Sequence, residues 1–145
     1  MLHHQSIANA TGTIIAYQTK LWDTVGGFNN TNGTVTLNGI SVPAYSYAPT
    51  IAGYYQVNAN VQMLLGAPQK SVEVYINKNG SVYTYGQFGM TDNNSYCSVT
   101  VGQIIYLNGT SDYISASVWQ GGGASYNTTA SQTGTLISAC LVRSA

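Results

Sequence analysis

The feature that most limits what this chain can fold into is alternation. From Gly53 to Leu64, Tyr55, Val57, Ala59, Val61 and Met63 take every second position, and Tyr54, Gln56, Asn58, Asn60 and Gln62 fill the gaps. A period of two puts the first set on one face of a strand and the second set on the other; a helix would scatter both around its axis. Ser71 to Asn77 repeats the pattern, with Val72, Val74 and Ile76 inward and Glu73 and Tyr75 outward. No helical period is sustained anywhere. Gly, Asn and Thr interrupt the alternating runs about every ten residues, which is the pattern of a sandwich or barrel.

The remaining strands follow from the same reading. Lys78-Asn79-Gly80-Ser81 holds an Asn-Gly pair, which tolerates positive φ at both central positions of a hairpin turn, so Val82 to Phe88 is the return strand. Thr91 to Ser95 reads as a polar turn, Ser98 to Tyr106 as a strand, and Asn108-Gly109-Thr110 as the turn that closes it. Between Asp112 and Trp119, Ile114, Ala116 and Val118 oppose Tyr113, Ser115, Ser117 and Trp119, and Gly121-Gly122-Gly123 ends the run. The last strand, Thr133 to Val142, carries Ile137, Ala139 and Leu141 on one face and Leu136, Cys140 and Val142 on the other. A strand apolar on both faces is expected to be buried on both, against the core and against a neighbouring subunit. Thr13 to Leu21 is expected to be a strand, and Gly26 to Gly39 a long connection with a short strand at Val35 to Leu37. Residues 1–12 show no period and are expected to form an arm, ordered only if it packs on something. Residues 13–145 then make one domain, an all-β, two-sheet antiparallel sandwich.

A chain of 145 residues buries about 68% of its unfolded surface, enough for a core without staples or metals. Four basic and four acidic residues cancel. Without a basic stripe, nucleic acid is not an expected partner, and no apolar run reaches the ~18 residues of a membrane helix. Met1 to Gln5 does not begin like a secretory signal, so the chain is expected to act in the cytoplasm or to leave it by lysis or within a particle, and a leader already cleaved would account for the same start. Cys97 and Cys140 lie in strand-like runs and are expected to be free, buried thiols rather than a bridge. The seven Asn-x-Ser/Thr triplets, at Asn9, Asn29, Asn32, Asn79, Asn93, Asn108 and Asn127, are the chance product of so much Asn, Ser and Thr.

Titratable residues do not converge. His3, His4, Asp23, Glu73, Asp92 and Asp112 belong to separate strands and loops, whereas acid–base catalysis needs them within reach of one substrate. Adjacent side chains on an extended segment point apart, so His3-His4 is a poor chelate. Calcium needs more oxygens than Asp92 and Asp112 supply. The triglycine lacks the lysine and helix of a phosphate loop. No catalytic residue, metal or cofactor is expected. The 12 tyrosines exceed what a small core hides. They suit cross-strand packing, an interface, or sugar binding by stacking and neutral hydrogen bonds.

Three local patterns resemble the jelly-roll of the complement C1q and tumour necrosis factor families. Tyr45-Ser46-Tyr47-Ala48-Pro49-Thr50-Ile51-Ala52-Gly53-Tyr54-Tyr55 is similar to the short strand, Ala-Pro corner, Gly and aromatic pair that open that fold's longest strand. Val74 to Gly80 is similar to its strand ending in Lys-Asn-Gly. Val101-Gly102 through Leu107, followed by Asp112-Tyr113-Ile114-Ser115-Ala116, is similar to its two strands around an acidic turn. Ser131-Gln132-Thr133-Gly134-Thr135-Leu136 resembles the approach to the final strand, with Gln132 where the family has an aromatic and Ser-Asp where its acidic turn has Gly-Asp. The resemblance covers Thr13 to Val142 and implies a ten-stranded jelly-roll and a compact homotrimer, without the collagen-like stalk.

With few charges, no export signal and a short arm, that resemblance points to a trimeric bacteriophage virion protein. The expectation is a capsid decoration or cement protein on the virion surface, assembled in the host cytoplasm against the major capsid protein. A receptor-binding tip of a tail or head fibre that recognises host glycans is the first alternative, and a secreted C1q-like ligand or adhesin the second. The expected trimer interface is Tyr75, Tyr113, Trp119, Ile137 and Leu141. The expected glycan contacts are Tyr96, Trp119 and Tyr126.

Overall fold

The structure, a computed structural model, describes residues 4–65, 70–90, 95–130 and 134–145. His3, Asp92, Asn93, most of the Thr91 to Ser95 turn, and Ser131 to Thr133 lie outside the described residues. Among the described residues eleven strands follow in order: β1 (Ser6–Ile7), β2 (Thr13–Ile14), β3 (Val35–Leu37), β4 (Ile40–Val42), β5 (Gly53–Leu65), β6 (Lys70–Lys78), β7 (Ser81–Met90), β8 (Ser95–Leu107), β9 (Ile114–Gln120), β10 (Tyr126–Asn127) and β11 (Leu136–Ser144). Two sheets carry the molecule, in the orders β11-β5-β8 and β2-β9-β6-β7, with the pairs β1-β10 and β3-β4 beside them. Every pairing is antiparallel, and the two sheets form a jelly-roll sandwich.

Period-two alternation sets which face each strand buries. Val57, Ala59, Val61, Met63 and Leu65 on β5 are fully buried, as are Val72, Val74 and Ile76 on β6 and Ile114, Ala116 and Val118 on β9. With Val99, Ile105 and Leu107 of β8 they make one continuous core. β5 and β8 pair over 13 residues without a register shift. The Asn79-Gly80 turn takes φ of 52° and 80°, the left-handed pair that matches strand twist.

At one edge the sheets are tied by a polar clamp. Lys78 Nζ crosses from β6 to donate to the Tyr106 carbonyl on β8 (2.7 Å) and pairs with Asp112 (3.0 Å). Asp112 also accepts from the Asn79 amide (2.7 Å) and the Asn108 backbone (3.0 Å). Burial acts to raise the Asp112 pKa, but the Asn79, Lys78 and Asn108 donors outweigh it and hold the carboxyl below its ordinary range. At the other edge β11 faces a stretch without regular structure, residues 15–25.

That stretch corrects one expectation. The strand expected from Thr13 to Leu21 stops at Ile14. The ladder reaches one bond further, from Ile15 N to the Ala116 carbonyl, but the next place on β9 is taken: Ile114, which register would set opposite Tyr17, exchanges both backbone hydrogen bonds with Tyr47 (2.9 Å each). The Tyr17 N–H then turns back to the Ile15 carbonyl, and Leu21 and Trp22 are exposed. The long connection also folds further than expected: Asn38-Gly39, with φ of 51° and 80°, closes a hairpin between β3 and β4. The arm is packed from residue 4 onward. His4 Nδ1 meets the Thr128 carbonyl at 2.8 Å, β1 pairs with β10, and Ile7 is fully buried in the core.

The last strand departs from the expectation of burial on both faces. Register with β5 puts Ile137, Ala139 and Leu141 on the core side and Leu136, Ser138 and Cys140 outside. Being an edge strand over an irregular stretch, it is half-buried at Ile137 and Ala139 and exposed from Cys140 onward. Both cysteines are free; Cys97 is buried, and Cys140 is exposed rather than buried.

Candidate functional site

The outer face of β7-β6-β9 gathers the side chains with the most recognition chemistry. Because Val72, Val74 and Ile76 face the core, Ser71, Glu73 and Tyr75 face out. Register places Gln87 and Trp119 on either side of Glu73, and Tyr85 and Ser117 on either side of Tyr75. Strands lie about 4.8 Å apart and same-face neighbours about 7 Å apart along a strand. Two adjacent rows, Gln87–Glu73–Trp119 and Tyr85–Tyr75–Ser117, therefore form one compact platform.

The β7 side of this platform depends on a bulge. Counting outward from the two-residue turn, Lys78 meets Ser81 and Asn77 meets Val82; Ile76 then meets Thr84, leaving Tyr83 as the extra residue. A one-residue shift exchanges the two faces of a strand. It is this shift that turns Tyr85 and Gln87 outward beside Tyr75 and Glu73.

Tyr75 and Tyr85 approach with ring centroids 5.9 Å apart at 39°. The Tyr75 hydroxyl donates to the Glu73 carboxylate. Burial, and then that bond to Glu73, push the phenol up to about 12. The Trp119 ring lies back over Gly121, where an added Cβ would come within 2.9 Å of Trp119 Cη2. Gly122 similarly seats the Tyr126 ring, which leaves no room for such a Cβ. Two of the three glycines are thus seats for aromatic rings.

The platform offers ring faces, one carboxylate and neutral amide and hydroxyl groups. It does not offer paired acid chemistry among the described residues. Asp23 is held by the backbone of Gly27 and Phe28 and by Lys20 (3.1 Å), and Asp112 sits in the clamp. Glycoside hydrolysis uses two carboxyls roughly 5–10 Å apart. No group of three His, Cys, Asp or Glu suited to a metal occurs among the described residues, and Lys78 occupies the Asp112 carboxylate.

The residues expected from sequence fall on several surfaces. Tyr75 and Trp119 come together on this platform. Ile137 and Leu141 lie on the core side of β11. Tyr113 packs beside the small Ile40, Val42 and Ala48 cluster. Tyr96 is 65% exposed on the outer face of β8, on the other sheet. Tyr126 lies behind the triglycine, on β10. Tyr85 and Gln87 were not foreseen. The Asn-Gly turn alone points to the opposite face for both, and only the bulge corrects it.

The other sheet has a different outer face. Gln56, Asn58, Asn60 and Gln62 run along its middle, with Asn60 Oδ1 accepting from Ser98 (3.1 Å) and Thr100 (2.7 Å). Apolar groups stand at the ends: Tyr54, Ile104 and Tyr106 at one, Leu64 and Tyr96 at the other, all exposed. Tyr54 and Tyr106 rings lie 5.5 Å apart.

No family model matches this chain, and no curated protein matches it. Among solved structures it is similar to a CBM35 from Cellvibrio japonicus, at TM-score 0.34 and 12% identity, over 94% of this chain and 97% of that one. It is also similar to a Xyl-CBM35 in complex with a glucuronic acid containing disaccharide, at TM-score 0.29 and 12% identity, over 93% and 91%. Likeness at this level assigns neither family nor ligand.

Proposed function

We propose that this protein binds neutral glycans without cleaving them, on the platform centred on Glu73 and Trp119. The observation that carries the reading is the register that sets Trp119 directly opposite Glu73, with Tyr75 and Tyr85 in the next row. Aromatic faces stack on the apolar faces of sugar rings, and a carboxylate accepts from vicinal hydroxyls; charge-assisted bonds are about twice as strong as neutral ones. The same carboxylate repels sialic and uronic acids. Neutral hexose glycans are therefore the favoured class. A glycan array followed by titration calorimetry tests this. Trp119→Ala and Glu73→Gln are expected to lower affinity about tenfold or more, the equivalent of about 1.4 kcal/mol, with the fold retained. Unchanged affinity in both variants, or preference for acidic glycans, refutes the assignment.

A second surface supports assembly. The exposed apolar ends of the β11-β5-β8 outer face fit burial against further copies of the chain, as in the homotrimer that the C1q resemblance implies. Glycan recognition on one sheet and self-association through the other favour a receptor-binding tip of a phage fibre over a capsid cement protein.

A further inference from the structure

The outer face of β9 does not end with the platform. In the row after Tyr75 and Ser117, register sets Asn77 opposite Ser115, and Ile14 of β2 stands beside Ser117. Asn77, Ser115 and Ser117 all face outward, yet all three are buried. Polar residues buried on the outer face of a sheet are the floor of a depression. Asn77 donates to Ser117 Oγ (2.9 Å), so Ser117 keeps its own proton to donate.

The depression continues into a pocket of about 330 Å³ lined by Ile14, Pro43, Tyr45, Gly80, Tyr113 and Ser115. That volume falls within the roughly 300–1,000 Å³ of ligand sites. Among the described residues no charged side chain lines it. Its two rings are held in place. Tyr113 packs on the Ile40, Val42 and Ala48 cluster, with its hydroxyl over Gly80. Tyr45 sits at φ of 53°, a backbone region costly for an aromatic residue, and strain of this kind collects at ligand sites. Among the described residues the Tyr17 hydroxyl alone is both enclosed and unbonded. The Ser115 hydroxyl has no hydrogen-bond partner among them either, so it is reached from the pocket although its residue is buried.

We infer that platform and pocket are two ends of one track, which takes an extended, β-linked chain of neutral hexoses rather than a single terminal sugar. The inference rests on the glycan reading of the platform and adds the length and shape of the ligand. Trp119, Ser117 and Ser115 alternate along one strand, so the first and last stand about 13 Å apart, four steps of ~3.3 Å. One hexose cannot cover that span. A β-linked hexose chain runs straight and repeats its flat faces and hydroxyls along a line, whereas an α-linked chain such as maltohexaose coils away from it. An acidic chain would find no cation in the pocket and is repelled by Glu73.

The test is titration calorimetry of the full chain with disaccharides and hexasaccharides of the cellulose and β-mannan series, and with maltohexaose. In at least one β-linked series the hexasaccharide is expected to bind about tenfold tighter than its disaccharide, and maltohexaose more weakly than that hexasaccharide. Tyr45→Gly removes a ring while suiting the positive φ. It is expected to erase the gain with length and to leave disaccharide affinity unchanged. Ser115→Ala is expected to reduce the same gain and serves as the second variant should Tyr45→Gly lose its fold by thermal unfolding. Trp119→Ala reads the platform separately and is expected to weaken disaccharide and hexasaccharide alike. If it does so while Tyr45→Gly and Ser115→Ala change neither, the platform stands and the track is refuted; if Trp119→Ala changes neither, the platform fails and the track with it. Equal affinity at both lengths, preference for maltohexaose, or no binding of either β-linked series also overturns the inference.

Discussion

At the residue scale, Tyr75 joins stability to the candidate site. Its hydroxyl is half-buried and gives its proton to a hydrogen bond with Glu73, so the folded state holds the neutral phenol up to about 12. Tyr47 is likewise raised to about 12, by burial first and then by Tyr55 and Asp23. The unfolded chain releases these protons near the ordinary phenol pKa, about 10. Raised folded values favour the protonated form, so their contribution is fully present below that range and lost as pH climbs through the folded values. The midpoint of urea unfolding is expected to stay level up to pH ~10 and fall towards pH ~12, and Tyr75→Phe is expected to flatten part of that fall. An equally steep fall in the variant would separate Tyr75 from the effect. Asp112 acts in the opposite sense: its lowered carboxyl contributes above the ordinary carboxylate range and loses that contribution as pH falls through it.

At the element scale, the central strands were legible because each buries one face, and burial writes itself into the sequence every second residue. β5, β6, β8 and β9 carry that pattern and form within a few residues of the expected bounds. Thr13 to Leu21 carries it too, yet pairs over two residues, because Tyr47, far off in the sequence, exchanges backbone hydrogen bonds with Ile114 where Tyr17 would pair. The bulge at Tyr83 left no trace in the alternation, since Tyr83 and Tyr85 read as equivalent. Deleting Tyr83 removes the extra residue itself, so Thr84 still meets Ile76 in simple turn register, and Tyr85 and Gln87 are expected to keep their outward places. Glycan affinity is expected to be retained, measured by calorimetry and thermal unfolding on the same sample. Lost affinity at wild-type stability would show that the bulge shapes the site beyond the register it sets.

At the scale of the whole molecule, alternation and turns were enough to predict an all-β sandwich, whereas the site was only half legible. Trp119 and Tyr75 were visible as outward aromatics. Their meeting with Glu73 is a fact of strand register, and period two does not encode which strands are neighbours. Association is a property of the same scale. The exposed tyrosines and Ile104 on the β11-β5-β8 face are expected to bring three 15.4 kDa chains together, read by light scattering; Ile104→Asp is expected to yield a monomer that still binds glycan. A monomeric wild type would leave that face to a different partner. The clamp from Lys78 to Tyr106 and Asp112 has its own bearing on the intact protein. With one corner latched by charge and the β11 edge covered by a stretch without regular structure, the sandwich is held unequally, and hydrogen exchange is expected to show backbone amides of residues 15–25 trading their hydrogens with water before those of β5.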